Sequence, residues 1–230
     1  MRQLIVLGGG GFSMESSPLL DQYFLDASGK ACPRICFLPT ASGDAEAQLL
    51  KFYAAHARYR CQASHLSLFR PPAQGLASVL LAQDAIFVGG GNTRAMLALW
   101  REWGVDQLLR QAYLQGCVLG GISAGMLCWF EAGLSDSSGL LAPLAGLGWL
   151  RGGACPHLDG EAERRPRLRE YLAAGQLPDS WAADDGAALH FVDEGLYACV
   201  SSRPNASVWR FERLGDGSVS ERRVSTRYLG

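Results

Sequence analysis

The chain has 230 residues, 48% of them hydrophobic and 19% charged, with a formal net charge of -1. That length and apolar content can build one sizeable core without metal or disulfide support, and they exclude a disordered chain. There is no basic field for nucleic acid or an anionic bilayer, and no apolar run reaches the ~20 residues of a membrane span.

The start, a short apolar run leading into four glycines, is too brief for a signal-peptide core and reads as a first strand, so a cytoplasmic protein is expected. Strands are predicted at 4–7, 34–38, 85–88 and 117–119, then at 190–192, 196–200 and 207–211. Helices are predicted at 17–25, 45–57, 94–100, 105–115, 124–129 and 165–173. This alternation argues an α/β fold with a mostly parallel sheet. Beyond about residue 190 the short strands are split by Gly, Pro-Asn and Gly-Asp-Gly turns. They read as antiparallel additions at a sheet edge within a single domain spanning 1–230. Seven cysteines, mostly inside apolar runs and without CxxC spacing, read as free buried thiols, with no zinc site.

Function in open α/β sheets gathers at the carboxyl ends of the strands, and three such ends are rich in glycine. Gly8-Gly9-Gly10-Gly11 lacks the spacing of a dinucleotide fingerprint and reads as a connection lining a pocket. Gly89-Gly90-Gly91-Asn92-Thr93 precedes a helix and leaves unshielded backbone N–H groups. It can be an oxyanion site, or a tight turn with Asn92 or Thr93 as N-cap. Gly121-Ile122-Ser123-Ala124-Gly125 lies between an apolar strand and an apolar helix, the context of a nucleophile elbow. Small residues two before and two after the serine let strand and helix approach.

A serine hydroxyl needs a base, and there are four histidines. His56 and His65 read as packing or surface residues, and His190 as a strand histidine. His157, after Ala154-Cys155-Pro156 and entering a polar loop, is the favoured base. For the orienting acid Asp184, Asp185 and Asp136 are candidates, whereas Asp159 is too close in sequence to reach behind the imidazole. A minority reading uses His190 with Asp136 or Asp159, which restores the residue order of α/β-hydrolases.

Together these motifs resemble the peptidase E (aspartyl dipeptidase) family of serine peptidases. The resemblance rests on Val88-Gly89-Gly90-Gly91-Asn92-Thr93, Gly121-Ile122-Ser123-Ala124-Gly125, Ser135-Asp136-Ser137 and Pro156-His157. It continues in Glu163-Arg164-Arg165-Pro166-Arg167, Asp185-Gly186 and Pro204-Asn205. It implies a flavodoxin-like, class I glutamine-amidotransferase-like three-layer sandwich, its mostly parallel sheet carrying antiparallel C-terminal strands. Ser123 would be the nucleophile, His157 the base, and the N–H groups of Gly91 and Ala124 the oxyanion hole. The third triad position, commonly a glutamate in a Pro-Glu-Gly turn, falls on Asp185. Asn92 and Asp136 fall on the substrate side, and Arg164 matches an arginine implicated in gripping the carboxylate of an N-terminal aspartate.

The expectation is therefore a cytoplasmic serine exopeptidase acting on dipeptides or short peptides, with no metal or organic cofactor. Its partners would be a small peptide and a second copy of the chain in a homodimer, not nucleic acid or membrane. The alternatives are a cyanophycinase-like isopeptide hydrolase and a non-catalytic small-molecule-binding relative of the same fold.

Overall fold

Alternating side-chain direction in the first strand sets the layering. In β1 (Gln3–Leu7), Leu4 and Val6 enter one core while Ile5 and Leu7 enter another. All five residues are buried, as a central strand covered on both faces requires. The computed structural model describes residues 1–70 and 75–230. In it β1 lies beside β5 (Val118–Ile122), followed outward by β4 (Ala85–Val88), β2 (Arg34–Leu38) and β3 (Gln62–His65), all parallel. Helices α1 (Leu19–Asp26) and α2 (Glu46–His56) cover the Ile5 face through Phe24 and Phe52. Helices α3 (Leu76–Leu80), α4 (Thr93–Trp103) and α5 (Val105–Leu114) cover the Leu4 face through Leu80, Met96, Trp100 and Leu109. Among the described residues no helix is long and apolar enough to cross a membrane.

The second half of the chain departs from expectation. After α6 (Ala124–Leu127) come β6 (Phe130–Ser135), β7 (Ala142–Ala145) and β8 (Leu150–Cys155), then α7 (Arg164–Ala173) and β9 (Ser180–Ala183). Next are β10 (Ala187–Val192), β11 (Gly195–Ser201), β12 (Val208–Arg213), β13 (Val219–Val224) and β14 (Arg227–Tyr228). Strands β10 and β11 do extend the first sheet antiparallel beside β1, with β14 at its edge. The strand predicted at 207–211 does not join them: β12 belongs to a second, six-stranded sheet ordered β13-β12-β9-β8-β6-β7. Strands β6, β8 and β9 are parallel to one another. Their sequences, FEAGLS, LRGGAC and SWAA, lack the β-branched residues that mark a strand. Their small residues serve close packing: a side chain at Gly133 would meet Leu127 and the Ala154 carbonyl. One face of this sheet joins the main core through Phe130, Leu150 and Val208. The other, with Leu134, Cys155 and Phe211, packs on Leu168 and Leu172 of α7.

Between β1 and α1 the glycine run enters a short 3-10 turn, Gly11–Ser13. Phe12 drops from it among Phe37, Phe52 and Phe87, each with its ring centroid 5.4 Å away. The Phe12 N–H donates to Asp21 Oδ1 at 3.1 Å, and burial pushes this carboxyl up to about 7 from an ordinary 3.8. A raised folded-state value means that this group's contribution is fully present below about pH 4 and is lost as pH rises toward 7. Asp21→Asn keeps an oxygen for Phe12 and removes the charge. It should be more stable than the parent at pH 8, by at most about 4 kcal/mol at roughly 1.4 kcal/mol per pKa unit. The gap should narrow toward pH 4, as urea unfolding at the two pH values would measure.

Candidate active site

Ser123 stands between β5 and α6 with φ 58° and ψ -105°, a conformation few non-glycine residues adopt and one that costs about 1–3 kcal/mol. The flanking glycines permit it. A side chain on Gly121 or Gly125 would strike the carbonyl of Val88 in the neighbouring β4. The turn is held by the Ser123 N–H on the Leu7 carbonyl at 3.2 Å and by the Trp129 indole N–H on the Gly125 carbonyl at 2.7 Å.

Because β4 and β5 are adjacent, the Gly89–Gly91 loop emerges against the serine; a Cβ on Gly90 would sit 3.2 Å from Ser123 Cβ. Gly91 has φ 133° and packs on the Ala41 carbonyl, leaving no room for a side chain. The neighbouring amides are in use, Asn92 N–H on the Ala41 carbonyl at 2.7 Å and Thr93 N–H on Ser137 Oγ at 2.8 Å. The N–H groups of Gly91 and Ala124 have no hydrogen-bond partner among the described residues.

His157 and Asp185 come from the second sheet. Strands β8 and β9 run parallel with Cys155 opposite Ala182, so the residues just past their ends emerge together. His157 Nδ1 and Asp185 Oδ1 are 2.6 Å apart, and this hydrogen bond holds the Asp185 carboxyl below the usual carboxylate range. Asp159 does not reach the imidazole; its Oδ1 accepts the Asp185 N–H at 2.7 Å and braces the acid from its backbone. The glycine run closes the arrangement. Gly9 bridges to Asp185, the His157 N–H donates to the Gly8 carbonyl at 3.3 Å, and a side chain on Gly9 would overlap the Asp185 carboxylate. Among the described residues no hydrogen bond joins Ser123 Oγ to His157, and such contacts are often loose in unliganded sites.

The other candidates sort themselves by contact. Asp184 turns away, with Oδ2 accepting the Ser207 N–H at 3.0 Å and the Trp209 indole N–H at 3.4 Å. His190 lies between Tyr23 and Gln3, and burial lowers its imidazole to about 4, which makes it a poor base. His56 bonds to the Phe52 carbonyl in its own helix, and His65 to the Tyr53 hydroxyl.

Ser123, Gly91, Asn92, Asp136 and Arg164 line one cavity of about 240 Å³, together with Ser137 and Glu161. Asn92 reaches it with both polar atoms already engaged: Oδ1 caps α4 at the Ala95 N–H, and Nδ2 donates to the Ser137 carbonyl. Asp136 follows β6, the third parallel strand of the second sheet, and is exposed. Arg164 is buried at the start of α7. Its Nε donates to Glu161 Oε2 at 2.8 Å and one terminal nitrogen to the Leu134 carbonyl at 3.0 Å; the other terminal nitrogen has no partner among the described residues. Glu161 was not anticipated from the sequence, although its place three residues before Arg164 is the spacing of a helix-entry ion pair. Glu15 was missed as well. Its oxygens hold the Gly11 N–H at 3.2 Å, the Ser202 hydroxyl at 2.7 Å and the Arg203 Nε at 2.6 Å, behind the loop that carries Gly9. No short motif announces it.

Comparison with known proteins places the chain in a family. The sequence model of Peptidase family S51 matches residues 4–198. The chain belongs to this family. It is 50% identical to the uncharacterised peptidase YgaJ of Bacillus subtilis (strain 168) over 231 residues, covering all of both chains. Its fold is similar to the crystal structure of a peptidase from an acI-B1 Actinobacterium, with a TM-score of 0.77 at 15% identity over 98% of this chain and 95% of that one. A candidate peptidase E protein from Listeria monocytogenes EGD-e superimposes with a TM-score of 0.61 at 16% identity, over 98% of this chain and 100% of that one.

In this S51 family member the approach of Gly9 to Asp185 makes a specific demand. Gly9→Ala should displace the Asp185 side chain and abolish the far-downfield NMR resonance expected of a His157 Nδ1 proton held at 2.6 Å. Persistence of that resonance in a folded Gly9→Ala protein would contradict the close packing described.

Proposed function

We propose that this peptidase is a serine-type exopeptidase acting on dipeptides or short peptides through an acyl-enzyme. The observation that carries the reading is the strained Ser123, which shares one cavity region with Gly91 and Ala124, whose N–H groups are unpaired among the described residues. Two free amides beside a nucleophile are what a developing oxyanion needs, and one such donor typically contributes roughly 3–4 kcal/mol. In the proposed sequence Ser123 Oγ attacks the scissile carbonyl as its proton passes to His157 Nε2. Asp185 fixes the imidazole with Nδ1 protonated and stabilises the imidazolium. His157 then protonates the leaving amine, and water, deprotonated by the same imidazole, hydrolyses the ester.

Preference for an N-terminal aspartate is supported by the charges in the cavity. The unused terminal nitrogen of Arg164 can grip a side-chain carboxylate, and the exposed carboxylate of Asp136 can take the α-ammonium. Glu161 competes for the same guanidinium, but its side chain is 48% exposed and can swing into solvent when substrate arrives.

A panel of Asp-Xaa, Glu-Xaa, Ala-Xaa, Xaa-Asp and β-Asp-Arg dipeptides tests this. Cleavage of Asp-Xaa should vanish in Ser123→Ala and fall on the order of 10²–10⁴-fold in Asp185→Asn, which leaves the imidazole in the wrong tautomer. Arg164→Ala should raise KM for Asp-Xaa more than for Ala-Xaa. Serine-dependent cleavage of β-Asp-Arg alone would replace the dipeptidase with an isopeptide hydrolase, and turnover surviving in Ser123→Ala would remove the mechanism.

A further inference from the structure

A second cleft, of about 210 Å³, opens between α1 and α2 and shares no lining residue with the cavity at Ser123. Its floor holds Asp21, only 4% exposed. Asp21 Oδ1 accepts the Phe12 N–H, whereas Oδ2 has no hydrogen-bond partner among the described residues. A buried carboxyl left half-satisfied is costly and calls for an explanation. Burial, with the nearby Glu15 charge, holds it near 7.

The α2 wall supplies the opposite sign. Lys51 of α2 and Arg58, two residues past its end, both border the cleft. Lys51 Nζ spends one donor on the Ser13 carbonyl at 2.9 Å, and the Arg58 guanidinium makes no hydrogen bond or ion pair among the described residues. Glu15 also borders the cleft, but both its oxygens are engaged by Gly11, Ser202 and Arg203.

We propose that this cleft binds a free α-amino acid as its zwitterion, with the ammonium on Asp21 Oδ2 and the carboxylate on Arg58 and Lys51. A simple anion would leave Asp21 unsatisfied and face its charge. A divalent cation would find one free carboxylate and two repelling side chains, whereas hard cations take six or more oxygens. A zwitterion satisfies both walls at once, and a small amino acid fits the volume. Free amino acids are products of peptide hydrolysis, so the role of product sensor rests on the peptidase reading above; the binding itself does not.

Calorimetric titration of the full chain at pH 7.5 with L-alanine, and with N-acetyl-L-alanine as a probe lacking the ammonium, tests the site. L-alanine should bind the parent and Ser123→Ala within twofold of each other, and at least tenfold more weakly in Asp21→Asn and in Arg58→Ala. The acetylated probe should not bind. Arg58 is exposed and lies apart from the Phe12 hydrogen bond, so its variant decides the matter independently of Asp21→Asn. Absence of binding to the parent at millimolar concentration overturns the proposal, and so does unchanged affinity in Arg58→Ala. Loss of binding in Ser123→Ala overturns it too, because it puts the amino acid in the catalytic cavity. Dipeptide hydrolysis by the same samples reports separately on the peptidase reading.

Discussion

The contact on which the site depends is the backbone approach of Gly8 and Gly9 to Ala183, Asp184 and Asp185. At this point the carboxyl end of the central strand of one sheet meets the carboxyl end of β9 in the other. It is held by hydrogen bonds from Gly8 N–H to the Ala187 carbonyl at 3.0 Å and from Gly186 N–H to the Gly9 carbonyl at 2.9 Å. His157 N–H adds a third, to the Gly8 carbonyl at 3.3 Å. A Cβ on Gly8 would strike the carbonyls of Ala183 and Asp184, so the approach exists only because the side chains are missing. The first sheet delivers the serine and the free amides. The second delivers the imidazole, its acid and Asp136. Neither half brings the serine, the imidazole and the acid into one place without the glycines that join them.

That division explains where the strain resides. Ser123 at φ 58° and His157 at φ 53° occupy the left-handed region, each just past the end of a buried strand. Such conformations persist only where the surroundings over-determine them. Ser123 is fixed by Val88 on one side and the Leu7 carbonyl on the other, and His157 by the Gly8 carbonyl and Asp185. Preorganisation of this kind lets the hydrogen-bonding groups face developing charge without rearranging at the moment of reaction.

What was legible in the sequence follows the same boundary. In the first half β1, β2, β4 and β5 read well because they are continuous apolar runs, and α4 has a clear stop in Gly104 with φ 67°, whereas the polar edge strand β3, QASH, and the short α3 were not anticipated. The second sheet was illegible because β6, β8 and β9 use glycine, alanine and serine where a strand ordinarily shows valine or isoleucine. The site was nevertheless more legible than the sheet that carries half of it. Ser123, His157 and Gly91 sit in short local patterns, and such patterns survive ignorance of the pairing. Asp185 could not be separated from Asp184 by pattern, because adjacent residues at a strand end point opposite ways and only the position of β12 decides which meets the imidazole. Asp184 goes to Ser207 and Trp209 at the start of β12, leaving Asp185 for His157. Glu15 acts through Ser202 and Arg203, far away in the sequence, and leaves no local mark; Glu161 leaves only its i, i+3 spacing to Arg164.

The charges around the serine carry the argument one step further. A guanidinium as buried as Arg164 is expensive to desolvate, and the chain offsets that cost with Glu161 and the Leu134 carbonyl rather than with a partner of equal burial. A half-exposed counter-ion is the easiest to displace, because water receives its carboxylate when a ligand's carboxylate takes its place. The pocket can thus remain neutralised while empty and still present a positive charge to an incoming acidic group. Under the proposed reading the same geometry would penalise a substrate with a basic first residue, which would meet Arg164 at close range in a cavity of about 240 Å³.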